Sequence, residues 1–287
     1  MPSLPAARRD TDAMPLVWVN GSLTDASAAA ISVFDHGLVA GDGLFETVEI
    51  HEGRPFALTR HLRRMRRSAA TLGFDPGISD DTLRQATDET IAANPEAGLL
   101  RLTITPGRCP LGSTRDDGPS TVILATAPSR DWGESIDVSV VDWVRNERGA
   151  LAGVKSTSYA ENVMALARAH EAGASEALFA NTLGNLCEGT GSNVFVELDG
   201  RLVTPPLSSG CLAGVTRELL LEILDIGEVD VPIEHLGHTE EAFITSSTRD
   251  VLAVAHVDGE QLPLTNGPLT KEAAESFASL KASNVDP

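Results

Sequence analysis

Val154-Lys155-Ser156-Thr157-Ser158-Tyr159-Ala160-Glu161-Asn162 joins an apolar stretch to the start of a helix, and it holds one of only three lysines in 287 residues. The other two, Lys271 and Lys281, lie in the polar C-terminal tail, and arginine supplies nearly all of the remaining positive charge. An amine that loses its proton does what a guanidinium cannot: it attacks a carbonyl carbon and forms a Schiff base. An internal lysine more often snorkels to solvent than reacts, so its meaning rests on its surroundings. Ser158-Tyr159-Ala160-Glu161 has the form of a capping box, which predicts a helix starting just after Lys155 and ending at Gly173.

Working outward, Ile136–Val141 precedes this segment as a strand of alternating apolar positions. Strands are predicted after it near Glu176–Phe179, Asn193–Leu198 and Arg201–Thr204, the last two joined by an Asp199-Gly200 tight turn. Gly214 opens a helix running through Leu224, Phe243–Thr245 and Val251–Val257 read as strands, and Lys271–Leu280 as an amphipathic helix. On the N-terminal side, residues 1–15 read as a disordered leader. Leu16–Val19 and Phe45–Ile50 read as strands, with a partner strand near Pro55–Leu58 after the His51–Arg54 turn. A helix follows with Thr59 as its N-cap, Leu62, Met65, Ala69 and Leu72 on its apolar face, and Gly73 at its end. A second helix spans Ser79 to Ala93, and Leu99–Thr105 and Thr121–Ala127 are strands. The expected organisation is α/β: a small unit over residues 16–127, a linker over 128–134 and a larger unit over 135–287. Mixed sheets fit this order better than the regular βαβ alternation of a dinucleotide-binding fold.

Composition narrows the class. Hydrophobic residues make up 42% and charged residues 22% of the chain, the proportions of a soluble globular protein. A net charge of -19 argues against a general nucleic-acid binder, which needs a basic surface. Cys109, Cys187 and Cys211 are odd in number and lack metal-ligand spacing, which fits a reducing compartment and no metal. The N-terminus lacks a signal-peptide apolar region and no apolar run reaches membrane-spanning length, so a cytoplasmic enzyme is the expectation.

The lysine has ordered company. Downstream come Tyr159, the sole tyrosine, then Glu188-Gly-Thr-Gly-Ser-Asn193-Val-Phe195, Leu202-Val-Thr204, Leu212-Ala-Gly214-Val215-Thr216-Arg217 and Ser246-Ser247-Thr248. Upstream lie Gly41-Asp-Gly-Leu-Phe-Glu46 and His61-Leu-Arg-Arg64. In this order and spacing the set resembles the class IV family of pyridoxal-phosphate enzymes, which includes branched-chain and D-amino-acid transaminases, (R)-amine transaminases and aminodeoxychorismate lyases. The resemblance spans nearly the whole chain after residue 16. It implies fold type IV, with a small N-terminal α/β domain and a larger C-terminal mixed-sheet pseudobarrel, and a homodimer with each site at the subunit boundary.

The resemblance also implies roles. Lys155 holds the cofactor aldehyde and later moves a proton, a task for which a free amine with a pKa of ~10.4 is too basic. Glu188 faces the pyridine nitrogen, and Tyr159 donates to the phenolate oxygen. Val215, Thr216, Ser247 and Arg64 hold the phosphate, the first two at a helix N-terminus where backbone N–H groups favour anions. Leu212 packs on the ring. Standing alone, Glu188 reads as a surface carboxylate, Tyr159 as a packing residue and Arg64 as a solvated member of an arginine-rich helix. Asn193 reads as a structural hydrogen-bonding residue. For the substrate the candidates are Phe45, Arg108, Leu111, Arg115, Thr248 and Arg249. Leu111 stands where the resemblance leads one to expect a carboxylate-gripping arginine, and an apolar residue there tolerates substrates without a carboxylate, such as primary amines; Arg108, Arg115 or Arg249 could take the role instead. The expected activity is transfer of an amino group between a D-amino acid or (R)-amine and a keto acid. Aminodeoxychorismate lyase activity and cofactor binding without catalysis are the alternatives.

Overall fold

A computed structural model describes residues 15–287, so the leader expected over residues 1–15 lies outside the described residues apart from Pro15. The first part of the chain runs β1 (Leu16–Val19), β2 (Ser22–Asp25), α1 (His36–Val39), β3 (Leu44–His51), β4 (Arg54–Pro55), α2 (Leu58–Leu72), α3 (Asp80–Ala93), β5 (Leu99–Thr105) and β6 (Thr121–Ala127). Its strands form one antiparallel sheet in the order β2-β1-β6-β5-β3-β4. Alternation sends Val48, Leu100, Leu102 and Leu124 to one face, where they pack against Leu62 and Met65 of α2 and Leu83 of α3.

The second part comprises β7 (Ser135–Arg145), α4 (Ala160–Glu171), β8 (Glu176–Asn181), β9 (Leu186–Gly189), β10 (Asn193–Leu198), β11 (Arg201–Thr204), α5 (Val215–Ile223), β12 (Gly227–Glu228), β13 (Ala242–Ser246), β14 (Asp250–Val257), β15 (Glu260–Gln261) and α6 (Pro268–Ser283). The strand order is β12-β11-β10-β13-β14-β7-β8-β9, with β15 on β14. It is mixed because β7 lies parallel to both β14 and β8. The β7 to β8 crossover is α4, which buries Ala165 and Ala169 against Val141 and Phe179. One face of the sheet closes on itself through Val138, Leu178, Val194, Ile244 and Val254. The other meets α5 and α6 through Phe195, Phe243, Leu219 and Phe277. The Asp199-Gly200 turn has positive φ at both residues, 53° and 78°, as a two-residue hairpin of this hand requires.

Three helix starts differ from expectation, the simplest being α6, which begins at Pro268 rather than Lys271 because proline suits a first helical turn. Thr59 does not cap α2. The cap position is Ala57, at φ 53°, and its N–H donates to the Val285 carbonyl at 2.7 Å. Asp286 then accepts from the Thr59 N–H at 2.9 Å, so the C-terminal segment supplies the cap from across the chain. Consequently the strand expected near Pro55–Leu58 stops at Pro55. The capping box at Ser158 is not formed either. The residue before α4 is Tyr159, without a side-chain cap. Ser158 donates instead to the Gly41 carbonyl at 2.9 Å, and Glu161 pairs with Arg145. A tertiary partner has displaced the local one. The same Gly41–Gly43 segment accepts from Thr157 Oγ1 (2.8 Å, to Gly41 O) and Thr157 N (2.8 Å, to Gly43 O), while Phe45 N donates to Lys155 O at 3.2 Å. Four hydrogen bonds therefore fasten the lysine-bearing segment to the first sheet.

Candidate active site

A cavity of about 610 Å3 opens where the two sheets meet, lined by Phe45, Arg64, Arg101, Lys155, Tyr159, Glu188, Leu212, Val215, Thr216, Ser247, Thr248 and Arg249 among others. Lys155 reaches it from the tethered segment. Its Nζ lies 4.4 Å from the Phe45 ring centroid and 5.8 Å from that of Tyr159, and the two rings meet edge to face at 5.1 Å. Burial pushes the Lys155 amine down to about 8, and the Arg64 guanidinium pushes the same way. Roughly a fifth of the amine is thus neutral at pH ~7.4, the state a nucleophile or general base needs, against about a thousandth for an ordinary lysine.

Glu188 sits at the end of β9 with Oε2 accepting from the Leu212 N–H at 2.8 Å. Arg145 Nε approaches Oε1 to 3.3 Å, near enough to pair charges but off the N–H direction, so this nitrogen keeps no hydrogen bond. Burial raises the Glu188 carboxyl against the pull of Arg145. The Tyr159 phenol is raised to about 12 by burial and by the Glu188 charge, so it stays a donor. Asn193 bridges the same region, its Nδ2 donating to the Leu212 carbonyl at 2.8 Å.

The N-terminus of α5 is an anion cradle without an occupant from the protein. Gly214 gives it no side-chain cap, and a Cβ there would lie 2.0 Å from Asn193 Oδ1, so only glycine lets the helix start this close. Thr245 Oγ1, which faces the same cavity, is buried without a partner. Arg64 stands beside them, not solvated but 5% exposed, with Nε (2.9 Å) and Nη2 (2.5 Å) on Glu46 and Nη1 (3.0 Å) on the Ala213 carbonyl. Burial alone would raise Glu46, but Arg64 and then His61 overcome it and hold the carboxyl at about 2. Free helix N–H groups and the unpartnered Thr245 hydroxyl fit a phosphate, and Arg64, although paired with Glu46 and the Ala213 carbonyl, keeps one further hydrogen on each Nη. An amine and a carboxylate close enough for their charges to act on each other fit the two ends of a pyridine aldehyde.

Every cofactor candidate from the sequence lines this one cavity, as do Phe45, Thr248 and Arg249 of the substrate candidates. Arg249, however, donates through Nη1 to the fully buried Glu176, which also receives Thr190 N (3.0 Å) and Ser192 Oγ (3.1 Å) and so shapes the loop after Glu188. Arg108, Leu111 and Arg115 do not line the cavity of their own chain. Arg108 is exposed near Phe34, Leu111 is 72% exposed, and Arg115 is committed to Asp42. Sequence reasoning missed Arg101. Its neighbours Leu100 and Leu102 face the core, so alternation along β5 sends Arg101 to the cavity side. Its guanidinium lies 3.6 Å from the Phe45 centroid and pairs with no carboxylate among the described residues. A lone arginine in an apolar strand was the available signal.

Such a site, between a small antiparallel sheet and a mixed half-barrel, defines a pyridoxal-phosphate enzyme of fold type IV. The family model for amino-transferase class IV matches residues 43–257, and the chain belongs to that family. A D-alanine aminotransferase of Bacillus licheniformis is 31% identical over 89% of this chain and 93% of its own. The branched-chain aminotransferase of Thermoproteus uzoniensis superposes with a TM-score of 0.86 at 28% identity, covering 93% of this chain and 94% of that one. A branched-chain aminotransferase from T.th., complexed with N-(5'-phosphopyridoxyl)-L-glutamate, gives 0.86 at 25% identity, covering 96% and 95%. The protein is a pyridoxal-phosphate-dependent aminotransferase acting on an amino donor and a keto acid. No helix among the described residues is long and apolar enough to cross a membrane.

Proposed function

We propose that this aminotransferase takes its amino group from an α-amino acid, D-alanine among its donors, and that Arg101 grips the donor carboxylate. The observation that carries this reading is a guanidinium open to the cavity, stacked on Phe45 and without an acidic partner among the described residues. Such a group, on the wall that also holds Lys155, favours a carboxylate-bearing donor over a plain amine. The D-alanine assignment draws on the Bacillus licheniformis relative.

In this reading Val215, Thr216, Ser247 and Arg64 hold the phosphate, Glu188 faces the ring nitrogen, Tyr159 donates to the phenolate oxygen, and Leu212 packs on the ring. The bound cofactor supplies an electron sink for the donor's Cα–H bond. Lys155 Nζ takes the Cα proton, and its lowered pKa leaves it unprotonated often enough to do so. Phe45 and Tyr159 keep bulk water from that nitrogen. The exposed Arg108–Arg115 loop, clear of its own cavity, serves a second copy of the chain in a homodimer.

D-alanine alone should convert the bound cofactor to its amine form, followed by absorbance. Arg101→Leu should raise KM for that donor roughly 10- to 100-fold, since a hydrogen bond to a charged group contributes ~1.5–3 kcal/mol, with kcat less affected. Conversion by L-leucine but not D-alanine would replace the D-assignment. Activity confined to (R)-amines, or pyruvate release from aminodeoxychorismate without any half-reaction, would overturn the reading.

A further inference from the structure

His36, the first residue of α1, is 2% exposed and lies outside the cavity. Its Nδ1 is 2.7 Å from Asp42 Oδ2 and its Nε2 is 2.8 Å from the Gly112 carbonyl oxygen. A carbonyl has no proton to give. Asp42 has none either, because Arg115 Nε and Nη2 each donate to it at 2.6 Å and hold its carboxyl below the usual range despite burial. A neutral imidazole has one N–H and would set a lone pair against one of these oxygens. Only the imidazolium satisfies both. The other charged groups nearby do not compete. Asp35 accepts from Gly37 N at 2.9 Å and Thr105 Oγ1 at 3.0 Å, Arg115 Nη1 turns to the Leu72 carbonyl at 2.7 Å, and Cys109 is buried beside Arg115.

The cluster ties together parts that bear on the site. Arg115 reaches the C-terminus of α2, the helix that carries Arg64. Gly112 anchors the exposed loop. Asp42 lies between Gly41 and Gly43, whose carbonyls hold Thr157 and Ser158 beside Lys155. We propose that His36 is a positioning residue that works as an imidazolium across the neutral range, fastening the Gly112 turn to Asp42 and so holding the Gly41–Gly43 segment against the lysine-bearing segment. Its bearing on catalysis rests on Lys155 being the cofactor lysine; its charge state does not. The Gly112 carbonyl and then Asp42 raise the His36 pKa in the fold. The stabilisation is therefore complete below the ordinary imidazole value of ~6.5 and is lost as pH rises through the raised one.

The test reads the ring directly. In cofactor-loaded protein with 15N-labelled histidine, the His36 signals are those missing from His36→Gln. At pH ~7.5 an ordinary histidine with pKa ~6.5 is about nine-tenths neutral, whereas His36 should show both ring nitrogens protonated. A neutral tautomer there would overturn the proposal. Amide exchange at Thr157 and over residues 108–115 should rise roughly tenfold in His36→Gln. Asp42→Asn should bring a similar rise and a lower His36 pKa. Unchanged exchange in a folded variant would remove the positioning role, and if neither variant folds, through-bond assignment of the His36 ring in doubly labelled wild type still lets its titration decide the charge.

Discussion

Replacing Lys155 by methionine should flatten the alkaline limb of the stability curve of the cofactor-free protein. The fold holds the amine at about 8 against an ordinary 10.5. At ~1.36 kcal/mol per pH unit this gap corresponds to on the order of 3 kcal/mol, an upper value because water enters the open cavity. The sign follows from proton counting. Between about 8 and 10.5 the unfolded chain binds the proton that the folded chain has released, so stability rises with pH over that window. Below it the native state carries a buried charge at its full penalty. Urea denaturation at a series of pH values should show the wild type gaining up to that amount between pH 8 and 10.5, and Lys155→Met gaining less by the same amount.

The chain's lysine poverty gives a second view of the same quantity. Reductive 13C-methylation labels Lys155, Lys271 and Lys281, besides the N-terminal amine. The lysine resonance absent from Lys155→Met should titrate near 8, and Lys281 should titrate above its ordinary value because Asp250 and Glu49 outweigh its burial. Arg64→Gln should move the Lys155 signal upward, since the Arg64 charge is the largest influence after burial. A Lys155 resonance titrating at the ordinary ~10.4 would refute the argument that burial readies this amine for chemistry.

Two further outcomes concern what holds the site in place. Glu46→Gln leaves Arg64 and His61 without their shared carboxylate and should destabilise the protein by about 3–5 kcal/mol in urea denaturation; in the wild type the Glu46 contribution should be complete above pH 4.5 and lost as pH falls from there toward about 2. Asp286→Ala removes the distant cap of α2 and should cost about 1 kcal/mol, read as a fall of roughly 2–4 °C in Tm, with faster exchange at the Thr59 amide as its local signature.

Legibility in the sequence follows the reach of the forces involved. Leu99–Thr105, Thr121–Ala127 and the Asn193–Leu198/Arg201–Thr204 hairpin were readable to the residue, because alternation and turn chemistry act within a few positions. The short strands β2 and β9 were not, since each exists by pairing with a neighbour rather than by its own pattern. Two of the helix starts that differed did so because a distant group took over: Asp286 at Thr59, Gly41 at Ser158. The site divides the same way. That Lys155 and Glu188 line one cavity was legible because the order of the motifs around them resembles that of the family. Arg115 shows why charge alone was insufficient elsewhere. As a sequence symbol it is as fit to grip a substrate carboxylate as Arg101. In the fold its Nε and Nη2 are taken by Asp42 and its Nη1 by the Leu72 and Gly73 carbonyls, while Arg101 has only the face of Phe45. Residue type states what a side chain is able to bind. Its tertiary partners decide whether it is still free to do so.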